Sequence, residues 1–167
     1  MPTWEDLVPA ARDIISRATK ANVMIATAES CTGGLIAGIL TEISGSSAVV
    51  DRGFVTYSNE AKQDMLGVSG STLDTYGAVS HRAAAEMADG ALARSRAAIT
   101  VAVTGIAGPG GGSEAKPVGT VYFGLAIKGR QTETFVEHFG DRGREQVRLL
   151  TVQNALKLVS NAINSST

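Results

Sequence analysis

The stretch Val23-Met-Ile-Ala-Thr-Ala-Glu-Ser-Cys-Thr-Gly-Gly34 decides how the rest of the chain is read. Val23 to Ala28 is a short apolar run of strand length. Polarity then changes abruptly to Glu-Ser-Cys-Thr, and two glycines follow. Beyond them Ile36, Ile39, Leu40 and Ile43 recur at helical spacing until the turn-like Ser44-Gly-Ser-Ser47. A buried strand that feeds a helix through a glycine-softened junction is a building unit of α/β proteins.

Working outward, the same alternation recurs. Upstream, Thr3 and Asp6 form a helix-capping pattern, and Leu7, Ala11, Ile14, Ile15 and Ala18 carry a helical stripe to about Lys20. Downstream, Val49 to Tyr57 reads as a strand, and a short helix runs from about Asn59 to near Gly67. Ser80 is placed to cap a helix striped by Ala84, Met87, Ala88, Ala91 and Leu92. Ala98 to Val103 is apolar almost throughout, as in a strand covered on both faces. Gly119–Ile127 and Thr132–Phe139 follow as consecutive strands, expected to pair antiparallel. A last helix from about Asp141 is striped by Leu149, Val152, Leu156, Val159 and Ile163. The expected fold is a three-layer α/β/α sandwich with a mixed sheet, one domain over residues 1–167.

Composition narrows the function classes. The 167 residues are 44% hydrophobic and 19% charged, which suits a globular core. A formal net charge of −1 offers no electrostatic footprint for nucleic acid. No apolar run approaches the roughly 18 residues of a membrane span, and the acidic N-terminus lacks a secretory signal. The single cysteine, Cys31, suits a reducing cytoplasm. No Cys/His/carboxylate spacing suggests a metal.

In open α/β sheets ligands collect beyond the strand carboxyl ends. Residues 27–34, 57–62 and 104–119 meet that description. In the first, Ser30 or Cys31 is placed to attack a carbonyl, and free N–H groups at a helix start can hold an oxyanion. The plainer reading has Thr32 capping the helix and the glycines permitting a tight turn. A serine needs a base. Neither histidine, His81 at a helix start or His138 in a late strand, lies in a motif-like segment. Lys62, one turn into a helix and close to Tyr57, is the other candidate; as a base it needs desolvation or a neighbouring cation to lower its pKa. Gly105 to Gly119 matches neither a Walker loop nor the dinucleotide fingerprint, so it either wraps a nucleotide or is a plain loop. Arg142 and Arg144 open the last helix, where they either meet a phosphate or stand solvated.

Five ordered motifs resemble those of the CinA C-terminal domain family: Thr27 to Gly34, Gly53 to Lys62, Gly77 to Ser80, Thr104 to Pro109 and Lys116 to Thr120. The likeness runs from about residue 5 to 160. The family includes nicotinamide-nucleotide amidases, so the resemblance implies metal- and cofactor-free hydrolysis of the carboxamide of nicotinamide mononucleotide to nicotinate mononucleotide and ammonia, in pyridine nucleotide salvage. It further implies Ser30 as nucleophile, Lys62 as its base and Tyr57 as a proton-network or positioning residue. Cys31, Thr32 and Gly33 become backbone oxyanion donors. Ser47, Thr104, Gly105 and Gly108 become substrate contacts, with Arg144 and Arg142 at the phosphate. The chain begins almost at the amidase domain, so no pyrophosphatase activity is expected. The partner expected is a small pyridine nucleotide, with no nucleic acid or membrane, and a homodimer as the assembly. Two other readings stay open: Cys31 as the nucleophile, its pKa lowered by the helix start, and a non-catalytic nucleotide- or partner-binding domain linked to competence or DNA damage.

Overall fold

The structure, a computed structural model, describes residues 1–166. It contains helix α1 (Trp4–Ala21), strand β1 (Ile25–Glu29), α2 (Leu35–Thr41), a single 3-10 turn (Ser46–Ala48) and β2 (Val50–Val55). Three helices follow: α3 (Asn59–Leu66), α4 (Gly70–Tyr76) and α5 (His81–Ala93). The chain continues through β3 (Ile99–Gly105), β4 (Thr120–Ile127) and β5 (Glu133–His138) to α6 (Arg144–Ser166).

The strands form one mixed sheet in the order β2-β1-β3-β4-β5. β1 pairs parallel with β2 and β3, while β3–β4 and β4–β5 are antiparallel. β1 therefore lies inside the sheet, and all five of its residues are buried. Helices α1, α2 and α6 cover one face and α3, α4 and α5 the other, as a three-layer sandwich requires. Among the described residues no helix is long and apolar enough to cross a membrane.

Local chemistry accounts for most element ends. Thr3 Oγ1 accepts from the Asp6 amide and Asp6 accepts from the Thr3 amide, which completes the capping box on α1. Ser58 caps α3 and Ser80 caps α5 through their hydroxyls. Helix α4 lies outside the elements expected from sequence. Its seven residues bury only Thr72 and Leu73, too little for a periodic signal. It is secured from a distance: Glu86 of α5 accepts from the Thr72 hydroxyl (2.8 Å) and the Ser69 amide (3.2 Å).

The two sheet faces differ in side-chain size. Toward α1, α2 and α6 the strands present Ile25, Ile99, Val101, Val103, Val121 and Phe123. Toward α5 they present Ala28, Ala102, Gly124 and Ala126, against a helix lined by Ala84, Ala88 and Ala91. Small residues on both surfaces let α5 approach closely. A Cβ built on Gly124 lies 2.2 Å from the Ala84 carbonyl oxygen, a distance no packing adjustment of a side chain relieves. Gly124→Ala is therefore expected to cost about 2–3 kcal/mol by overpacking, read as a lower denaturation midpoint in urea. An unchanged midpoint would mean that α5 is free to move away from β4.

Candidate active site

The parallel pairing brings the carboxyl ends of β1, β2 and β3 to one edge, and a cleft of about 210 Å³ opens there. Its walls include Ser30 just after β1, Tyr57 and Lys62 after β2, Thr104 and Gly105 at the end of β3, and Arg144 at the start of α6. The junctions are stitched together by main chain: the Ser30 amide donates to Val103 O (3.0 Å) and the Thr56 amide to Glu29 O (2.9 Å).

Lys62 is 1% exposed, although lysine is among the residues least often buried. It reaches inward from the first full turn of α3, which the Ser58 cap anchors. Its Nζ lies 3.0 Å from Ser30 Oγ, 2.8 Å from Thr56 O and 3.3 Å from Tyr57 O. No ion pair among the described residues includes it. Burial holds its pKa below that of an ordinary lysine. The two carbonyls can only accept, so they take two N–H bonds. The remaining direction, toward Ser30, then carries a third hydrogen in the ammonium or a lone pair in the neutral amine.

The turn after Ser30 is held by two groups that sequence reasoning missed. Glu29 is fully buried, and its side chain points toward α2. Oε1 accepts from the Ile36 amide (2.8 Å) and the Thr32 hydroxyl (2.6 Å), and Oε2 from the Ala37 amide (3.0 Å). The carboxylate thus caps α2, whose N-cap residue is Gly34 with φ of 103° and no side-chain cap of its own. The plainer reading, in which Thr32 caps the helix, does not hold, because its hydroxyl donates to Glu29. From α6, Arg148 donates Nε to Cys31 O and Nη2 to Thr32 O, both at 3.2 Å. The available signal for Glu29 was an acid ending an apolar strand directly before a serine; nothing local marks Arg148.

The amides of the turn are not equivalent. The Gly33 amide donates to Ser30 O (3.1 Å), so it is occupied. Those of Cys31 and Thr32 donate to no main-chain carbonyl among the described residues, and the Cys31 amide lies against its own thiol. The Cys31 thiol is buried, and burial pushes its pKa up to about 12, against the low value that a cysteine nucleophile needs.

The other expected contacts separate into three groups. Thr104 lines the cleft with its hydroxyl on Ala78 O (2.8 Å), and Gly105 lines it beside Ala107. Arg144 donates Nη2 to the Tyr57 hydroxyl (2.9 Å) and Nη1 to Gly108 O (2.8 Å), so Gly108 meets the site through its carbonyl. Tyr57 is split: its carbonyl serves Lys62 while its 61%-exposed side chain stands on the rim. Arg142 turns away and donates to Phe139 O (3.1 Å). Ser47 is exposed and precedes β2, at the opposite end of a six-residue strand and so roughly 20 Å from the cleft. The family pattern suggested Ser47; the chain's own path carries it away. His81 contacts Thr134 and His138 contacts Thr120, both outside the cleft.

An α/β sandwich with a buried lysine on a serine hydroxyl, at the carboxyl ends of its parallel strands, is the class of protein that this fold and site define. The chain belongs to the CinA C-terminal domain family, whose sequence profile matches residues 8–163. It is 55% identical over 136 residues to a nicotinamide-nucleotide amidohydrolase of Enterobacter agglomerans, covering 80% of this chain and 83% of that protein. With the corresponding amidohydrolase of Escherichia coli K12 it shares 54% over 130 residues, covering 77% and 79%. A CinA-like protein of Chlorobium phaeobacteroides is 51% identical over 152 residues, and there the chain spans 36% of the relative's length. The crystal structure of a competence/damage inducible protein from Agrobacterium tumefaciens superposes with a TM-score of 0.93 at 55% identity, over 98% of both chains.

The Glu29 carboxylate suggests a direct test. Glu29→Gln keeps the shape but turns an NH2 toward helix amides that are themselves donors. It is expected to cost about 1–3 kcal/mol, measured by chemical denaturation; an unaltered midpoint would remove Glu29 as the anchor of the turn.

Proposed function

We propose that this chain is a nicotinamide-nucleotide amidohydrolase in which Ser30 attacks the substrate carboxamide and Lys62 moves the protons. The observation that carries the serine–lysine assignment is the 3.0 Å approach of Lys62 Nζ to Ser30 Oγ inside a cleft free of histidine. Two relatives bearing the amidohydrolase name match across about four fifths of their own length, which supports the substrate. The unpaired, buried Cys31 suits action in a reducing cytoplasm.

The reaction follows from the groups present. Neutral Lys62 takes the Ser30 proton as Oγ bonds to the carboxamide carbon. The oxyanion that forms meets the open amides of Cys31 and Thr32. The lysine ammonium returns its proton to the departing nitrogen, the C–N bond breaks and ammonia leaves a serine ester. Water then attacks that ester, giving a proton to Lys62, and Oγ leaves with the proton that Lys62 hands back. Arg144 on the rim is the partner for the nucleotide phosphate, because its fork presents several charged donors at one place.

Ser30→Ala is expected to abolish ammonia release from nicotinamide mononucleotide, and Lys62→Met to do the same with the far-ultraviolet dichroism retained. Wild-type ammonia release from either variant would end the assignment. A pure binding domain would release none from the unaltered protein.

Arg144→Ala should raise KM for the nucleotide roughly tenfold or more with a smaller change in kcat. An unchanged KM would place the phosphate elsewhere.

Lys62 also gives stability a pH dependence with a defined sign. Its folded pKa is depressed, so between that value and the ordinary lysine value near 10.5 the unfolded chain binds more protons. Unfolding free energy should therefore rise with pH across this window relative to Lys62→Met, and level off above it. Urea titrations of both proteins at stepped pH measure the difference; a flat or falling trace would mean that Lys62 is not desolvated.

A further inference from the structure

Lys62 is the one residue of the cleft wall equipped to exchange protons during turnover. The remaining ionisable groups there are Cys31, whose thiol burial pushes up to about 12, Tyr57, whose hydroxyl oxygen accepts from Arg144, and Arg144, whose guanidinium donates to Tyr57 and to Gly108 O. Thr56 O and Tyr57 O hold the lysine so that a single direction faces Ser30 Oγ. The proton that leaves with ammonia and the proton surrendered by the incoming water therefore pass through the same nitrogen, on the same side of the serine ester. The place vacated by ammonia is the place from which water attacks. Among the described residues no histidine or carboxylate lines the cleft wall to favour water over a small nitrogen nucleophile.

We propose that the chain is also an acyltransferase, in which the Ser30 ester is captured by small unhindered amines, hydroxylamine foremost, to give a hydroxamate in place of the carboxylate. The proposal rests on the amidohydrolase reading above and extends it to a second acceptor class. Hydroxylamine nitrogen attacks the ester carbonyl carbon and its N–H proton passes to Lys62. The C–Oγ bond then breaks, and Oγ recovers its proton from the lysine. Carboxamide and hydroxylamine become hydroxamate and ammonia, with no change of oxidation state and no further reactant. Hydroxylamine is the stronger nucleophile of the two acceptors, and its nitrogen attacks from the position that the ammonia nitrogen has left, with its hydroxyl directed into the cleft. Water retains its concentration advantage, so the outcome is a partition between two products.

The test incubates the full chain with nicotinamide mononucleotide and stepped concentrations of hydroxylamine, reading ammonia by a coupled assay and the two nucleotide products by mass spectrometry. The expected result is a hydroxamate whose ratio to the carboxylate rises about tenfold for a tenfold rise in hydroxylamine, as for a shared covalent intermediate, with ammonia release undiminished. Ser30→Ala, shown to be folded by its denaturation curve, should form none. Carboxylate as the sole product at every concentration, with ammonia release at its ordinary rate, overturns the transfer and leaves hydrolysis standing. Ammonia release that falls without hydroxamate appearing overturns it as well. Absence of ammonia under all conditions overturns both readings.

Discussion

Lys62 Nζ meets two main-chain carbonyls and one serine hydroxyl, with no carboxylate paired to it among the described residues, and the surrounding structure is arranged to keep it there. Removing an ammonium from water is costly, and a paired acid would have been the usual remedy. Here the relief is partial, through dipoles alone, and the lowered pKa follows. The carbonyls come from the segment that leaves β2, the hydroxyl from the segment that leaves β1, and the lysine from α3. The parallel register of β1 and β2 therefore sets the distance from Lys62 to Ser30, because a slip between the strands would separate the amine from the serine.

Close packing on the face of the sheet that carries α3 and α5 supports that register. The small residues facing α5 bring helix and strands into close contact, and Gly124 has no room for a methyl group. The larger side chains on the other face, from Ile25 to Phe123, supply most of the apolar burial. The molecule thus divides the work between a bulky face that provides cohesion and a close-packed face that fixes geometry near the cleft.

Much of this was legible in the sequence. Strand β3 announced its two-sided burial through a nearly continuous apolar run, and the caps at Thr3 and Ser80 follow rules confined to one helical turn. Ser30 and Lys62 were legible as candidates, and their pairing came from the family pattern. The missed features share a cause. Helix α4 depends on Glu86, and the turn after Ser30 on Arg148, 116 residues away from Thr32. Such contacts exist only after the layers have assembled, so no local window carries them. Ser47 differs in the opposite way: its motif was readable, but only the path of β2 shows which end of the sheet it occupies in this chain.

The Glu29 carboxylate also shapes the electrostatic landscape. A helix start beside a serine normally projects a positive potential outward, and here a buried acid has already absorbed it. The first turn of α2 consequently offers little attraction to an anion in the cleft. The cationic group of the cleft stands instead on the rim, where Arg144 meets the Tyr57 hydroxyl. In the proposed reaction, charge recognition at Arg144 and bond cleavage at Ser30 fall to different elements, so a substrate would be oriented end to end before its neutral amide reaches Ser30.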